Sequence, residues 1–230
     1  MAKEVLQNLE VNEIKKTKIV AELIGTGDLI LNKKCRSYEM SEVWKQANPK
    51  GSEMPAHLNQ GYNLWERLIT SIHWRDSIEF HDDDWSKYTE DEWKEYMTNN
   101  APCFKSYALI KSMSEAFKTF GYKDSTGKAG TDFMRSVSLL SDRYPIEFAK
   151  ASYEQKLVPN NSQNKTNVVC QYNVFSGWRS TVEIICADIV LPAETVLAVL
   201  RTTGEFIGIG TQRKNGFGHF DIGKVELVSL

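Results

Sequence analysis

The stretch Gly208-Ile209-Gly210-Thr211-Gln212-Arg213-Lys214-Asn215-Gly216-Phe217-Gly218-His219-Phe220 holds four of the chain's 14 glycines, two adjacent cations and two aromatic residues. Glycines set this densely let the backbone adopt positive φ and approach a neighbour or a ligand closely. Arg213 and Lys214 supply the charge that an anionic partner needs. A second reading is a tight helix-to-strand connection that uses glycine for its turns. The flanks are a helix predicted over Ala193 to Thr203, stopped by Gly204, and a last strand over Phe220 to Val228.

Upstream of the loop, Leu191-Pro192-Ala193-Glu194 starts that helix with proline near its first turn. Val196, Leu197, Val199 and Leu200 form its apolar face. Two strands come before it. One carries Val168, Val169, Cys170, Tyr172, Val174 and Phe175; the other runs from Thr181 to Asp188, after a break at Ser176-Gly177-Trp178-Arg179-Ser180. An early strand, Lys18 to Ile24, ends in Gly25-Thr26-Gly27, and apolar residues resume over Asp28 to Asn32. Two β-α-β arrangements in one antiparallel sheet make a ferredoxin-like fold. The expected class is therefore α+β: a ferredoxin-like, RRM-like antiparallel sheet with helices on one face and a helical, acidic insertion. The expected organisation is a single domain over 1–230. Within it, 41–132 is a mostly helical insertion and 167–230 the strand, helix, glycine-loop and strand unit.

Residues Met1 to Lys16 read as a short amphipathic helix or a loose arm. In the middle, Ser41 opens a polar helix, and Leu64, Trp65, Leu68, Ile69 and Ile72 mark one face of a buried helix. Thr89-Glu90-Asp91-Glu92 resembles a capping box with Thr89 as N-cap. Leu109, Ile110, Met113, Phe117 and Phe120 give the clearest helix, Ser106 to Phe120, with Gly121 as its stop. Phe133 to Leu140 and Ile146 to Phe148 read as strands, and Leu157 to Thr166 as a polar loop or hairpin tip.

A hydrophobic share of 41%, a charged share of 25% and a net charge of −2 are ordinary for a globular chain. Nothing global marks a nucleic-acid binder, so any basic surface is local. Cys35, Cys103, Cys170 and Cys186 form no C-x-x-C pair, which removes the common zinc and redox motifs. No signal peptide opens the chain and no run of about 18 apolar residues exists. A cytoplasmic protein with reduced thiols and no membrane contact is expected. Lys123 to Asp132 lacks the phosphate-loop pattern and H-E-x-x-H is absent, so no cofactor or metal is expected. His81 beside Asp82, Asp83 and Asp84 reads as part of a solvated acidic segment. Three consecutive side chains do not converge on one ion without a special loop.

Gly208-Ile209-Gly210, the basic pair and Gly216-Phe217-Gly218-His219-Phe220, placed after a helix and before a short strand, resemble the C-terminal glycine-rich loop of the RAMP superfamily. These are RRM-like, ferredoxin-fold subunits of CRISPR effector complexes and their relatives. More closely, the chain looks like RAMP-like proteins encoded by bacteriophages and prophages, which match at Leu23-Ile24-Gly25-Thr26-Gly27-Asp28-Leu29-Ile30 and at the C-terminal loop. The likeness covers roughly the last 60 residues in order and spacing and the first 30 loosely. It implies binding of RNA or other single-stranded nucleic acid, with other subunits of a nucleoprotein complex as further partners. The implied site is Gly208, Gly210, Gly216 and Gly218 offering backbone amides to phosphates, with Arg213 and Lys214 neutralising charge. Trp178 and Arg179, with Tyr172 and Phe175 nearby, are candidates for stacking on unpaired bases; core packing is the alternative for these aromatics.

Some RAMP proteins cleave RNA with a histidine. His219, beside the cations, and His57, in the Met54-Pro55-Ala56-His57 turn, are the weak catalytic candidates, and a non-catalytic protein is the favoured reading. Two alternatives stay open. One is a metal-independent endoribonuclease of the same fold. The other is an interaction or inhibitor protein that docks Glu79 to Glu95, with its eight acids among Trp85, Tyr88, Trp93 and Tyr96, onto a basic partner.

Overall fold

A computed structural model of the chain describes residues 14–32, 72–76, 90–127, 132–159 and 167–230. Strand β1 (Lys16–Gly25) alternates as its sequence demands: Ile19, Ala21 and Leu23 are buried, while Lys18, Val20 and Glu22 face the other way. Strand β9 (Arg179–Ala187) repeats the pattern, with Ser180, Val182, Ile184 and Cys186 buried. These two pair antiparallel. Strand β10 (Phe220–Ser229) flanks β1, and the short β5 (Val137–Leu139) flanks β9.

The sheet order is thus β10-β1-β9-β5. Between β1 and β5 the chain forms helix α2 (Ser106–Thr119), and between β9 and β10 it forms α4 (Ala193–Thr202). Each helix links two strands separated by one antiparallel neighbour. Two such split β-α-β units are the ferredoxin-like topology. Both helices lie against one sheet face, where Leu109, Met113, Ala116 and Phe117 of α2 and Val196, Val199 and Leu200 of α4 join the strand residues in one core. Neither helix has a side-chain N-cap. Each buried Leu, Val or Phe contributes about 1.5–3 kcal/mol, more than a cap, so packing fixes where these helices lie.

Two smaller sheets are attached. Strands β7 (Lys150–Pro159) and β8 (Asn167–Ser176) form a long hairpin, and β2 (Leu29–Ile30) pairs with the base of β8. Strands β3 (His73–Trp74), β4 (Pro102–Lys105) and β6 (Arg143–Pro145) make the third sheet. Helix α1 (Glu90–Asn99) precedes β4, and its Tyr96 ring packs edge-on against Trp74 at 5.1 Å.

Several local expectations change. Phe133 to Leu140 is not one strand: helix α3 (Phe133–Ser136) comes first, then β5. Phe133 is drawn into the core against Phe117, at a ring separation of 5.3 Å, and the chain turns to deliver it. Ile146 to Phe148 keeps only a bridge from Glu147 to Arg179, the strand lying just before it in β6. Leu157 to Pro159 belong to β7 rather than to a loop. Gly204 does not stop α4, which widens into a π turn, Thr203–Ile207. Within 41–132, Ser106–Thr119 packs into the core. The helix expected near Ser41, all but the last residue of the one expected over Asn63 to Ile72, the Thr89 cap, His57 and the acidic run 79–89 lie outside the described residues; Ile72 is buried, but in a bend just before β3.

Cys103 and Cys186 are buried free thiols. Burial pushes both up to about 11; Asp188 adds to the effect at Cys186, while Arg143 opposes it at Cys103. An unfolded thiol ionises near about 8.5. The folded state therefore holds neutral thiols that the unfolded state would ionise. Their contribution is complete below about pH 8.5 and is lost as pH climbs through about 11. Both cysteines should resist Ellman's reagent at pH 8 in the native protein and react in urea. Thermal stability should decline between pH 9 and 11; thiol mapping by mass spectrometry and melts across that range check both outcomes.

Candidate nucleic-acid interface

The glycine-rich loop is stitched to the corner between β1 and β2. Thr26 N–H donates to the His219 carbonyl at 3.0 Å, and Gly218 N–H to that of Asp28 at 2.8 Å. Ile209 N–H donates to Gly218 O, and Thr211 donates to Ile30 O from both its backbone and its hydroxyl. Backbones crossing this closely leave no room for side chains. A Cβ at Gly218 would stand 1.8 Å from the Ile209 carbonyl oxygen, and one at Gly210 would stand 2.4 Å from that of Ile30.

That packing corrects the role of three glycines. Gly208, Gly216 and Gly218 donate their amides to Thr203, Arg213 and Asp28 carbonyls, so these N–H groups do not face a phosphate. Gly210 alone of the four has an amide with no partner among the described residues. It also lines a cleft of about 400 Å³, together with Glu115, Phe206, Ile207, Gln212, Arg213 and Lys214.

The cations arrive through strained backbone. Gln212 takes the left-handed conformation, φ 58° and ψ 26°, and turns the chain into a short 3-10 turn, Arg213–Asn215. Arg213 Nη1 then reaches back to α2, donating to Ser112 Oγ at 3.1 Å and Glu115 Oε2 at 3.0 Å. The guanidinium is thereby oriented and partly neutralised. Lys214 is exposed and forms no ion pair among the described residues. It is the cleft's uncommitted charge.

Two exposed aromatics stand here that the sequence pattern did not single out as site residues. Phe206, on the π turn, is 54% exposed, and Phe120, following α2, is 45% exposed; their ring centroids are 5.2 Å apart. Phe120 is thus not the core residue its helical spacing implied.

The stacking candidates fare differently. Trp178 is fully buried, donates from Nε1 to Gly27 O at 2.9 Å, and packs edge-on against Phe220. Phe175 is fully buried against Phe148. Tyr172 is nearly buried, and its hydroxyl accepts from Gln212 Nε2. Core packing is the role of all three, because a base cannot reach a ring that water does not. Arg179 is exposed but lies on the open sheet face, 3.9 Å from Glu22, and does not line the cleft. On that face Lys18 also meets Glu183 at 3.3 Å. In β1, β9 and β10 the one aromatic is buried Phe220, so these strands offer no ring to a base.

His219 is half-buried against Gly208, and its imidazole has no hydrogen bond among the described residues. No group of three or more His, Cys, Asp or Glu among the described residues is placed to hold a metal ion. No described helix is long and apolar enough to cross a membrane.

Strand order and loop together define an α+β protein of ferredoxin-like topology with a cationic, glycine-built cleft at one corner of its sheet. No family model matches the chain, and no curated protein matches it. Among solved structures it is similar to a chain of a type III-B Cmr-beta complex bound to cognate target RNA, at 13% identity and a TM-score of 0.43. That match covers 99% of this chain and 64% of the other, so the chain spans about two-thirds of that relative's length. It is also similar to Cmr6 from Pyrococcus furiosus, at 13% identity and a TM-score of 0.33, over 90% of this chain and 98% of that one. The fold assignment rests on the strand order itself.

Proposed function

We propose that this is a non-catalytic, RAMP-like protein that binds RNA or other single-stranded nucleic acid within a CRISPR-type or phage-encoded nucleoprotein assembly. The observation that carries the reading is the presentation of Lys214 and Arg213 at an open cleft by a loop locked to the sheet. Charge held in place on a rigid loop binds phosphate without a large ordering cost. Among the described residues His219 has no hydrogen-bonded second group to pass it a proton, which supports binding over cleavage.

The test is fluorescence anisotropy of a labelled single-stranded oligonucleotide across a salt series. Arg213→Glu with Lys214→Glu should abolish binding. Lys214→Gln should weaken it and lower the slope of log affinity against log salt by about 0.7, the value for one phosphate contact on a single strand. Glu115→Gln should tighten binding up to about fivefold, because it removes the carboxylate that partly neutralises Arg213. Undiminished binding by the charge-reversed double variant would refute the reading.

A further inference from the structure

We propose that Phe120 and Phe206 form a stacking platform for one unpaired nucleobase of the strand whose phosphates meet Lys214 and Arg213. This rests on the nucleic-acid-binding reading above and assigns the ligand's second point of contact. The two rings come from different elements, the end of α2 and the π turn after α4, and meet at 5.2 Å with 38° between their planes. Each of the two residues is about half exposed. A single exposed phenylalanine needs no explanation, but a pair beside a charged cleft does.

The π turn is what places Phe206. Gly204 is pressed against Phe220, where a Cβ would stand 2.1 Å from the carbonyl oxygen. The Gly208 amide closes the widened turn on the Thr203 carbonyl at 2.7 Å. Widened turns of this kind are frequent at functional sites. Phe206 itself lines the cleft with Arg213 and Lys214, so apolar ring and cation are contiguous.

Charge selects the occupant. Around the rings stand Arg213 and Lys214 in the cleft and Lys118, exposed in the last turn of α2 just before Phe120, against Glu115, already bonded to Arg213, and the exposed Glu205 beside Phe206. An apolar protein side chain would leave the exposed Lys214 and Lys118 without a role, whereas a nucleotide brings a flat π face and an anion together. Phenylalanine has no donor or acceptor, so the platform is tolerant of base identity. A paired base keeps its faces in the duplex stack, so the platform selects single strands.

The experiment compares wild-type protein, Phe120→Ala/Phe206→Ala, Phe206→Leu and Phe206→Tyr for binding an oligonucleotide and its counterparts carrying one abasic residue at each position in turn. Melting curves confirm that each variant is folded. The double alanine variant should bind about ten- to hundredfold more weakly, with an unchanged salt slope. Wild type should lose a similar factor at one abasic position, and the double variant should not register that abasic site. Phe206→Tyr should retain the discrimination and Phe206→Leu, which keeps apolar area without a ring, should lose it. Equal wild-type affinity for the intact strand and every abasic counterpart, with the Lys214 dependence intact, overturns the platform and leaves the binding reading standing. A double variant that binds the strand normally but loses self-association overturns it too, assigning the patch to a protein contact. Failure of wild type to bind any oligonucleotide overturns both readings.

Discussion

Gly218→Ala should lower the melting temperature by about 10 °C, the largest effect expected of a methyl group added at any described glycine. Two penalties combine. Gly218 sits at φ 72°, where an alanine costs about 1–2 kcal/mol. Its new methyl would also stand 1.8 Å from the Ile209 carbonyl oxygen, and the atom in the way is backbone. Moving packed backbone costs a further 1–3 kcal/mol or so. Gly216→Ala is the internal control. Its φ is similar, 85°, but no atom lies within 4 Å of the added carbon, so only the conformational penalty applies. Calorimetry on the two variants separates the effects. If both melt alike, the close crossing of the loop and the β1–β2 corner is not what holds this region together.

Trp178→Ala should cost about 3–5 kcal/mol in urea unfolding, because a fully buried indole leaves a large cavity. Trp178→Phe keeps most of the packing and loses the hydrogen bond to Gly27, so it should cost about 1 kcal/mol. The half-buried Gly27 carbonyl can turn to water, which keeps that second cost small. The pair of variants also decides between two roles. A tryptophan that stacks on a base would, when removed, weaken oligonucleotide binding and leave stability alone. A core tryptophan does the reverse: the folded fraction of Trp178→Phe should bind like wild type. Circular dichroism for unfolding and anisotropy for binding read the two quantities independently.

The contrast between Trp178 and Phe206 shows where the sequence was informative. Strands β1 and β9 and helices α2 and α4 are legible because period 2 and period 3.6 survive over eight or more residues, and β8 because it is rich in β-branched and aromatic residues. Strand β5 was not, since three residues give no period and the adjoining Phe133 looks like part of the same apolar run. The glycine loop lies between helix and strand as its spacing predicts, but three of its four glycine amides bond to backbone carbonyls. A glycine needed for close backbone crossing and one needed to bare its amide to an anion have the same letter. Trp178 sits in a polar, turn-like context and still goes inside, because the turn folds over the core. Phe120 keeps helical spacing and still emerges, because the helix ends at Thr119 and Phe120 is already its C-cap, off the helical backbone. Ser112 and Glu115 carry no local signal at all; their role depends on Arg213 arriving from a hundred residues away.

The central position of β1 has a consequence for synthesis. Both strands that flank it, β9 and β10, come much later in the sequence, and the Lys18–Glu183 hydrogen bond spans 165 residues. During translation β1 emerges well before these neighbours and waits, with the edges they will cover open, until they leave the ribosome. Contacts of such sequence separation are slow to form, and unpaired edges left open meanwhile are prone to wrong partners. The mixed charges of Lys16, Lys18 and Glu22 along β1 would then serve as protection for the nascent chain before they serve the folded sheet.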